Sequence, residues 1–123
     1  MHMTVLEIIN RADTLEPNAY SADEKIRWLS NLDGKIFEEV IKTHEGGAES
    51  FTPYSTGDEE LLLAEPYGED VYTHYIAAMI AAGNSEASRY NQQIAMYNAN
   101  YGQWFNWYNR THRPLPKSKR FIF

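Results

Sequence analysis

The sequence predicts a mainly α-helical fold, a compact bundle of about four helices that forms a single domain over residues 1–123. Apolar residues recur at steps of three and four in four segments, which places them along one face of a helix. Ser or Thr followed three residues later by Glu marks two helix starts, and Gly or Pro marks the ends. A chain of this length buries roughly two thirds of its unfolded surface, so it requires no second domain.

The first helix is predicted over residues 4–15. Thr4 and Glu7 have the spacing of a capping box, in which each side chain bonds to a free backbone N–H at the helix start. Pro17 follows, and proline cannot continue a helix. Leu6, Ile9 and Ala12 are expected to face the core, with Val5 and Ile8 flanking them.

The second helix is predicted over residues 22–43, and Ser21 and Glu24 repeat the capping-box spacing before it. Its apolar residues keep a helical period throughout. Gly34 lies in the middle of this helix, where glycine costs about 1 kcal/mol relative to alanine. Gly34 therefore indicates either the close approach of another helix or a kink.

A loop rich in Gly and Pro is predicted over residues 44–58, because turn-forming residues are concentrated there. One turn of helix is expected from Glu60 to Leu63, and Pro66 would end it.

The third and fourth helices are predicted over residues 69–82 and 86–112. The sequence Gly-Asn-Ser at 83–85 is typical of a helix C-cap followed by a new N-cap. Pro114 and Pro116 lie just beyond the fourth helix. Residues 113–123 are therefore predicted to form a basic C-terminal tail.

The fourth helix has an unusual composition, since residues 90–109 carry no formal charge and include eight Asn and Gln residues. The amides exclude a membrane span, because each would need a partner in hydrocarbon. An apolar stripe with helical spacing is expected to lie partly in the core: Tyr90, Ile94, Tyr97, Tyr101, Trp104 and Tyr108. Met96 and Trp107 lie roughly 100–120° from this stripe on a helical wheel and are predicted to contact another protein.

Charge is divided unevenly along the chain. All seventeen acidic residues lie at or before Glu86, and the six basic residues from Ala87 onward have no acidic residue among them. Such polarity favours head-to-tail association of identical subunits. Alternatively, the two ends fold back and neutralise each other within one subunit.

Signatures of catalysis are missing from the sequence. There is no cysteine, no Glu-x-x-His, no phosphate-binding glycine loop and no nucleophile elbow. Asp70 and His74 lie four residues apart and could pair on a helix, although such a pair is more often structural than catalytic. We therefore expect no enzymatic activity, no catalytic residue, no metal site and no cofactor.

Three segments resemble the small head-tail connector (adaptor) proteins of tailed bacteriophages and prophages. They are TVLEIINRADTLEPNAYSADEKIRWLSNLDGKIFEEVIKTH at 4–44, LLLAEPYGEDVYTHYI at 61–76 and YNQQIAMYNANYGQWFNWYNRTHRP at 90–114. The resemblance rests on the overall pattern, and no functional residue is carried over individually. It implies a mostly helical structural subunit that forms a ring below the portal and joins the DNA-filled head to the tail.

The resemblance also implies the partners and the location. These are further copies of the chain, the portal and tail-completion proteins, with no membrane, at the virion head-tail junction and in the host bacterial cytoplasm during assembly. The predicted partner interface combines the flank of the fourth helix with the basic end: Met96, Trp107, Arg110, Arg113, Lys117, Lys119, Arg120, Phe121 and Phe123.

Two other functions remain open at this point. A helical accessory or regulatory protein of a prophage could use the basic tail on nucleic acid, although the acidic body argues against direct binding. A small helical enzyme would have to depend on Asp70 and His74.

Overall fold

The computed structural model describes residues 1–116, and that part of the chain is mainly helical, as predicted. It contains four α-helices: α1 (Val5–Leu15), α2 (Ala22–Glu39), α3 (Gly68–Gly83) and α4 (Ala87–Thr111). The bounds agree with the predicted ones to within one residue for α1, α3 and α4. None of the described helices is long and apolar enough to cross a bilayer.

The start of α1 has the predicted capping box. The backbone N–H of Glu7 donates to Oγ1 of Thr4 at 3.3 Å, and the backbone N–H of Thr4 donates to the Glu7 carboxylate at 2.8 Å. The start of α2 has only half of this arrangement, because Ser21 accepts from the N–H of Glu24 without a reciprocal bond. Both helix starts were therefore placed correctly by the pattern.

The prediction that the second helix continues to residue 43 is wrong. The α-helix ends at Glu39, and Ile41–Thr43 forms one turn of 3-10 helix. The carbonyl of Val40 lies 2.8 Å from the hydroxyl of Thr43 and 2.6 Å from Nδ1 of His44. These local polar groups satisfy the helix end and redirect the chain.

The close approach of another helix that was expected as one alternative at Gly34 is not seen in the described structure. A side chain at this position would instead place its Cβ 3.6 Å from the Phe51 ring. The following loop, rather than a helix, therefore packs over this part of α2.

The turn of helix expected over residues 60–63 is not formed. The N–H of Leu61 donates to the carbonyl of Met3 at 2.9 Å, and the N–H of Leu63 donates to the hydroxyl of Tyr72 at 2.9 Å. Long-range bonds thus take the donors that a local helical turn would use. The N-terminal residues run along this extended segment, with Met1 accepting from the N–H of Glu65 at 2.8 Å.

The connection between α3 and α4 differs in detail from the expected caps. Ser85 takes the left-handed conformation, with φ of 58°, and Glu86 precedes α4 without a side-chain cap. Gly83 is the last residue of α3, where a side chain would collide with the hydroxyl of Tyr20. Packing against Tyr20, rather than a left-handed turn, therefore favours glycine at this position.

The core lies where α3 packs against α1, α2 and α4. Fully buried residues from three of these helices meet there: Val5, Ile8, Leu29, Val71, Ile76 and Ile80. The helix α4 packs mainly against α3, and only Trp104 and Tyr108 of its 25 residues are buried. Most of its surface therefore remains outside the core.

A buried carboxylate, that of Asp33 in α2, joins three parts of the fold. The hydroxyls of Tyr54 and Tyr72 donate to its two oxygens at 2.5 and 2.7 Å, and the N–H of Leu62 donates at 3.1 Å. Burial raises the pKa of Asp33 to about 6, against the opposing effect of these bonds. The carboxylate thus connects α2 to α3 and to the segment between them.

A second carboxylate, that of Glu59, organises the turn before it. It accepts from the backbone N–H groups of Ser55, Thr56 and Gly57 at 2.6, 3.1 and 2.8 Å. These bonds, chiefly that from Ser55, lower the pKa of Glu59 to about 2. The turn is therefore built around the ionised side chain.

Replacing Glu59 with Gln is expected to destabilise the protein at neutral pH, because the amide presents one acceptor oxygen in place of two. Because folding lowers the pKa of Glu59, the contribution of its carboxylate to stability is complete above pH 4.5. This contribution is lost as the pH falls through about 2. Denaturant unfolding of both proteins across this range should show their stability difference shrinking in acid. A difference that stays constant would contradict this role for Glu59.

Candidate interaction surface

The outer face of α4 is the most distinctive surface of the described structure. Over residues 90–109 its exposed members are Asn91, Gln92, Ala95, Met96, Asn98, Ala99, Gln103, Phe105 and Asn106. Five of these nine are amides, and none is charged. Met96 is 49% exposed and Phe105 is 36% exposed, although both are large and apolar. This face therefore offers hydrogen bonds and apolar contacts without formal charge.

The other three amides of α4 have partners within the subunit. Oε1 of Gln93 lies 2.7 Å from Nδ1 of His74, and Oδ1 of Asn109 lies 2.6 Å from Nε2 of His44. The side chain of Asn100 donates to the carbonyl of Met96 at 2.8 Å. The amides thus divide between internal bonding and the outer face.

The aromatic stripe of α4 lies on the opposite side and is buried to different degrees. Trp104 and Tyr108 belong to the core, with ring centroids 5.0 Å apart. Tyr97 and Tyr101 are partly buried against it, and Tyr97 contacts Tyr75 of α3. The stripe thus joins α4 to the rest of the subunit.

Met96 and Trp107 were predicted to lie on one exposed flank of α4, but only Met96 is exposed. Met96 lies on the outer face, whereas Trp107 is partly buried against Tyr67, with ring centroids 5.4 Å apart. The segment before α3 covers this side of α4 near its C-terminal end.

Phe105, which was not singled out from the sequence, is the exposed aromatic residue of the outer face. A helical wheel places Phe105 beside Tyr101 of the stripe, and the two rings stack with centroids 6.2 Å apart, so the wheel alone does not show that Phe105 is exposed.

A cavity of about 440 Å³ lies beneath the C-terminal end of α4. Trp104, Trp107, Tyr108 and His112 contribute to its walls, together with the loop at Gly46–Ala48. The hydroxyl of Tyr108 is buried without a hydrogen-bond partner in residues 1–116. Trp107 is therefore a wall residue of this cavity as well as a contact of Tyr67.

The acidic part of the chain, up to Glu86, and the basic part after it neutralise each other only in part within the described residues. Arg89, at the start of α4, pairs with the buried carboxylate of Glu16. Arg110 and Arg113, at the other end of α4, are exposed and form no ion pair within residues 1–116. Positive charge thus remains available at one end of the described subunit. The predicted interface residues Lys117, Lys119, Arg120, Phe121 and Phe123 lie outside the described residues.

Asp70 and His74 border an open groove between α1 and α3, of about 760 Å³. Nδ1 of His74 bonds to Gln93, and no bond joins His74 to Asp70, both of which are described. The proposed dyad is therefore not assembled. Residues 1–116 also contain no group of three or more His, Asp or Glu side chains placed to hold a metal ion.

Comparison with known proteins finds no matching family model, no matching curated protein and no matching solved structure. What this chain does must therefore be inferred from its own residues and surfaces.

Proposed function

We propose that this chain is a non-enzymatic structural subunit of the head-tail connector of a tailed bacteriophage or prophage. In this role it associates with copies of itself into a ring and binds the portal and tail-completion proteins. The observation that carries the proposal is the outer face of α4, which is long, exposed and free of charge.

The composition of this face suits contact with protein. Solvated helices ordinarily expose Lys and Glu, and charged residues are depleted at the centres of protein interfaces. Here amides lie between Met96 and Phe105, which are nine positions apart at opposite edges of the exposed side, so apolar burial can be combined with satisfied hydrogen bonds. A neighbouring subunit of a ring would provide such a cover.

The remaining charge supports association with a definite polarity. Arg110 and Arg113 are unpaired within residues 1–116, while the rest of the described chain carries a large excess of acid. Contacts between unlike patches of identical subunits are heterologous, and they generate a ring where the rotation closes. The resemblance of three sequence segments to connector proteins agrees with this arrangement.

The proposal is tested by imaging particles assembled with and without this protein. We expect a ring of it between portal and tail in complete particles, and heads that fail to join tails when it is missing. Particles that complete normally without the protein would exclude this function.

Substituting Met96 or Phe105 with Glu is expected to weaken assembly at least about tenfold, because a charge would be buried in the interface without a partner. Folding should change little, since both side chains already contact water. Asn31→Glu, on the exposed side of α2, is the matched control. Thermal melts separate folding from assembly, and ring formation equal to that of the control would contradict a role for the outer face.

A second candidate function, as a nucleic-acid accessory protein, is favoured by one observation. Arg110 and Arg113 are exposed beside further basic residues of the sequence. Binding to duplex DNA that falls steeply with salt and is lost in the Arg110→Glu/Arg113→Glu variant would favour this candidate.

A further inference from the structure

We propose that the C-terminal end of α4 in one copy docks into the groove between α1 and α3 of a second copy, with Arg110 against Asp70. This inference rests on the self-association in the proposed function and names the two surfaces that meet. The occupant of the groove is a second copy of this chain.

The groove is open and lined by both apolar and polar side chains. Leu15 at the C-terminal end of α1 is 48% exposed, and Met3, before the other end of this helix, is partly buried. Thr73 lines the same groove, and its hydroxyl is buried without a hydrogen-bond partner in the described structure. Because that hydroxyl has almost no accessible surface, the polar positions that a partner can reach in the groove are the exposed side chains of Asn10, Thr14 and Asp70.

Two carboxylates that line the groove, those of Glu7 and Asp70, have no ion-pair partner within residues 1–116. Arg11 pairs with Glu69, and the carboxylate of Glu7 bonds to the backbone N–H of Thr4. Asp70 is exposed and has no ion-pair partner within residues 1–116. A cation that enters the groove would therefore meet a carboxylate that is not already engaged.

The end of α4 provides the complementary cation. Five of the basic side chains in residues 1–116 form ion pairs, and Arg110 is among those that do not. On the same helical face, one and two turns earlier, lie Asn106 and Gln103, both exposed. These amides can bond to exposed polar groups of the groove such as the side chain of Asn10, and neither brings a second charge into the groove.

The two surfaces lie on different sides of one subunit. The groove is formed where α1 packs on α3, and the outer face of α4 points away from α3. A contact between them joins unlike patches and leaves one copy with a free groove and the other with a free α4 end. Repetition of this contact generates the heterologous arrangement that a ring requires.

The test is a charge exchange measured by sedimentation over a wide range of protein concentration. Asp70→Arg and Arg110→Asp should each weaken self-association at least about tenfold, because like charges would face each other. The double variant, and an equal mixture of the two single variants, should recover the wild-type constant to within about threefold. Asp23→Arg and Lys35→Asp, both at exposed positions, serve as controls and should leave the constant unchanged.

The outcomes distinguish this contact from the proposed function. Single variants that associate like the wild type, no recovery in the double variant, or a wild-type protein that stays monomeric at every concentration would each overturn the contact. If rings were imaged at the head-tail junction but the charge-exchange variants did not behave as expected, the proposed function would be supported and this interface would be excluded. If the variants behaved as expected but no such rings were seen, the interface would be supported and the proposed function would be excluded.

Discussion

Replacing Asp33 with Ala is expected to lower the free energy of unfolding by about 3–5 kcal/mol. The reason is the set of donors that would lose their acceptor. The hydroxyls of Tyr54 and Tyr72 and the N–H of Leu62 all point at the Asp33 carboxylate. Each buried donor left unpaired costs about 1–3 kcal/mol, reduced where water can enter.

Denaturant unfolding followed by circular dichroism measures this loss. Asn31→Ala is the matched control, because Asn31 lies on the exposed side of the same helix. Surface substitutions of this kind change stability by about 0.5 kcal/mol or less. Similar losses in the two variants would contradict the role of Asp33 in connecting α2 to α3.

The variant Asp33→Asn cannot titrate, although it also replaces one of the two acceptor oxygens with an NH2 group, so the pH dependence of the stability difference reports the charge. Burial raises the folded-state pKa of Asp33 from 3.8 to about 6, so binding of a proton to Asp33 stabilises the folded state. This stabilisation is complete below pH 3.8 and is lost as the pH rises through about 6. The wild type should therefore lose about 3 kcal/mol relative to Asp33→Asn as the pH rises across this interval. A stability difference independent of pH would contradict the raised pKa.

Trp104→Ala is expected to cost about 3–5 kcal/mol, as is typical for removal of a large buried aromatic side chain. Trp104 is only 2% exposed, and its ring lies 5.0 Å from that of Tyr108 and 5.6 Å from that of Tyr101. The side chain also forms part of the wall of the 440 Å³ cavity, so its loss would enlarge a space that already exists.

The adjacent residue provides the control for this prediction. Phe105 is also aromatic and on the same helix, but it lies on the outer face and is 36% exposed. Phe105→Ala should cost less than about 1 kcal/mol in unfolding free energy. If both substitutions destabilised the subunit equally, α4 would be buried on both sides and its outer face would not be available to a partner.

Helix positions could be predicted because their signals are local. The Thr4 and Glu7 side chains act within one turn of α1, and the apolar period depends on neighbouring residues alone. The end of α2 was missed for a related reason. The backbone at Val40 is redirected by Thr43 and His44, whose competing bonds the hydrophobic period does not contain.

The candidate interface was predictable only in part. The absence of charge over residues 90–109 identified α4 as the helix to consider, and Met96 is indeed exposed. Trp107 is not freely exposed, because Tyr67, forty residues earlier in the sequence, packs against it. A helical wheel places a residue on a side of its helix without showing what covers that side.

The sequence by itself determined the fold class, the four helices, the uncharged segment and the division of charge, since these depend on composition and on short spacings. Only the tertiary structure decided which polar groups are buried together and which apolar groups remain exposed. Asp33 meets Tyr54 and Tyr72 across separations of 21 and 39 residues, and the groove that contains Asp70 exists only where α1 packs on α3. Such contacts depend on how helices pack, and packing brings together side chains that no local pattern relates.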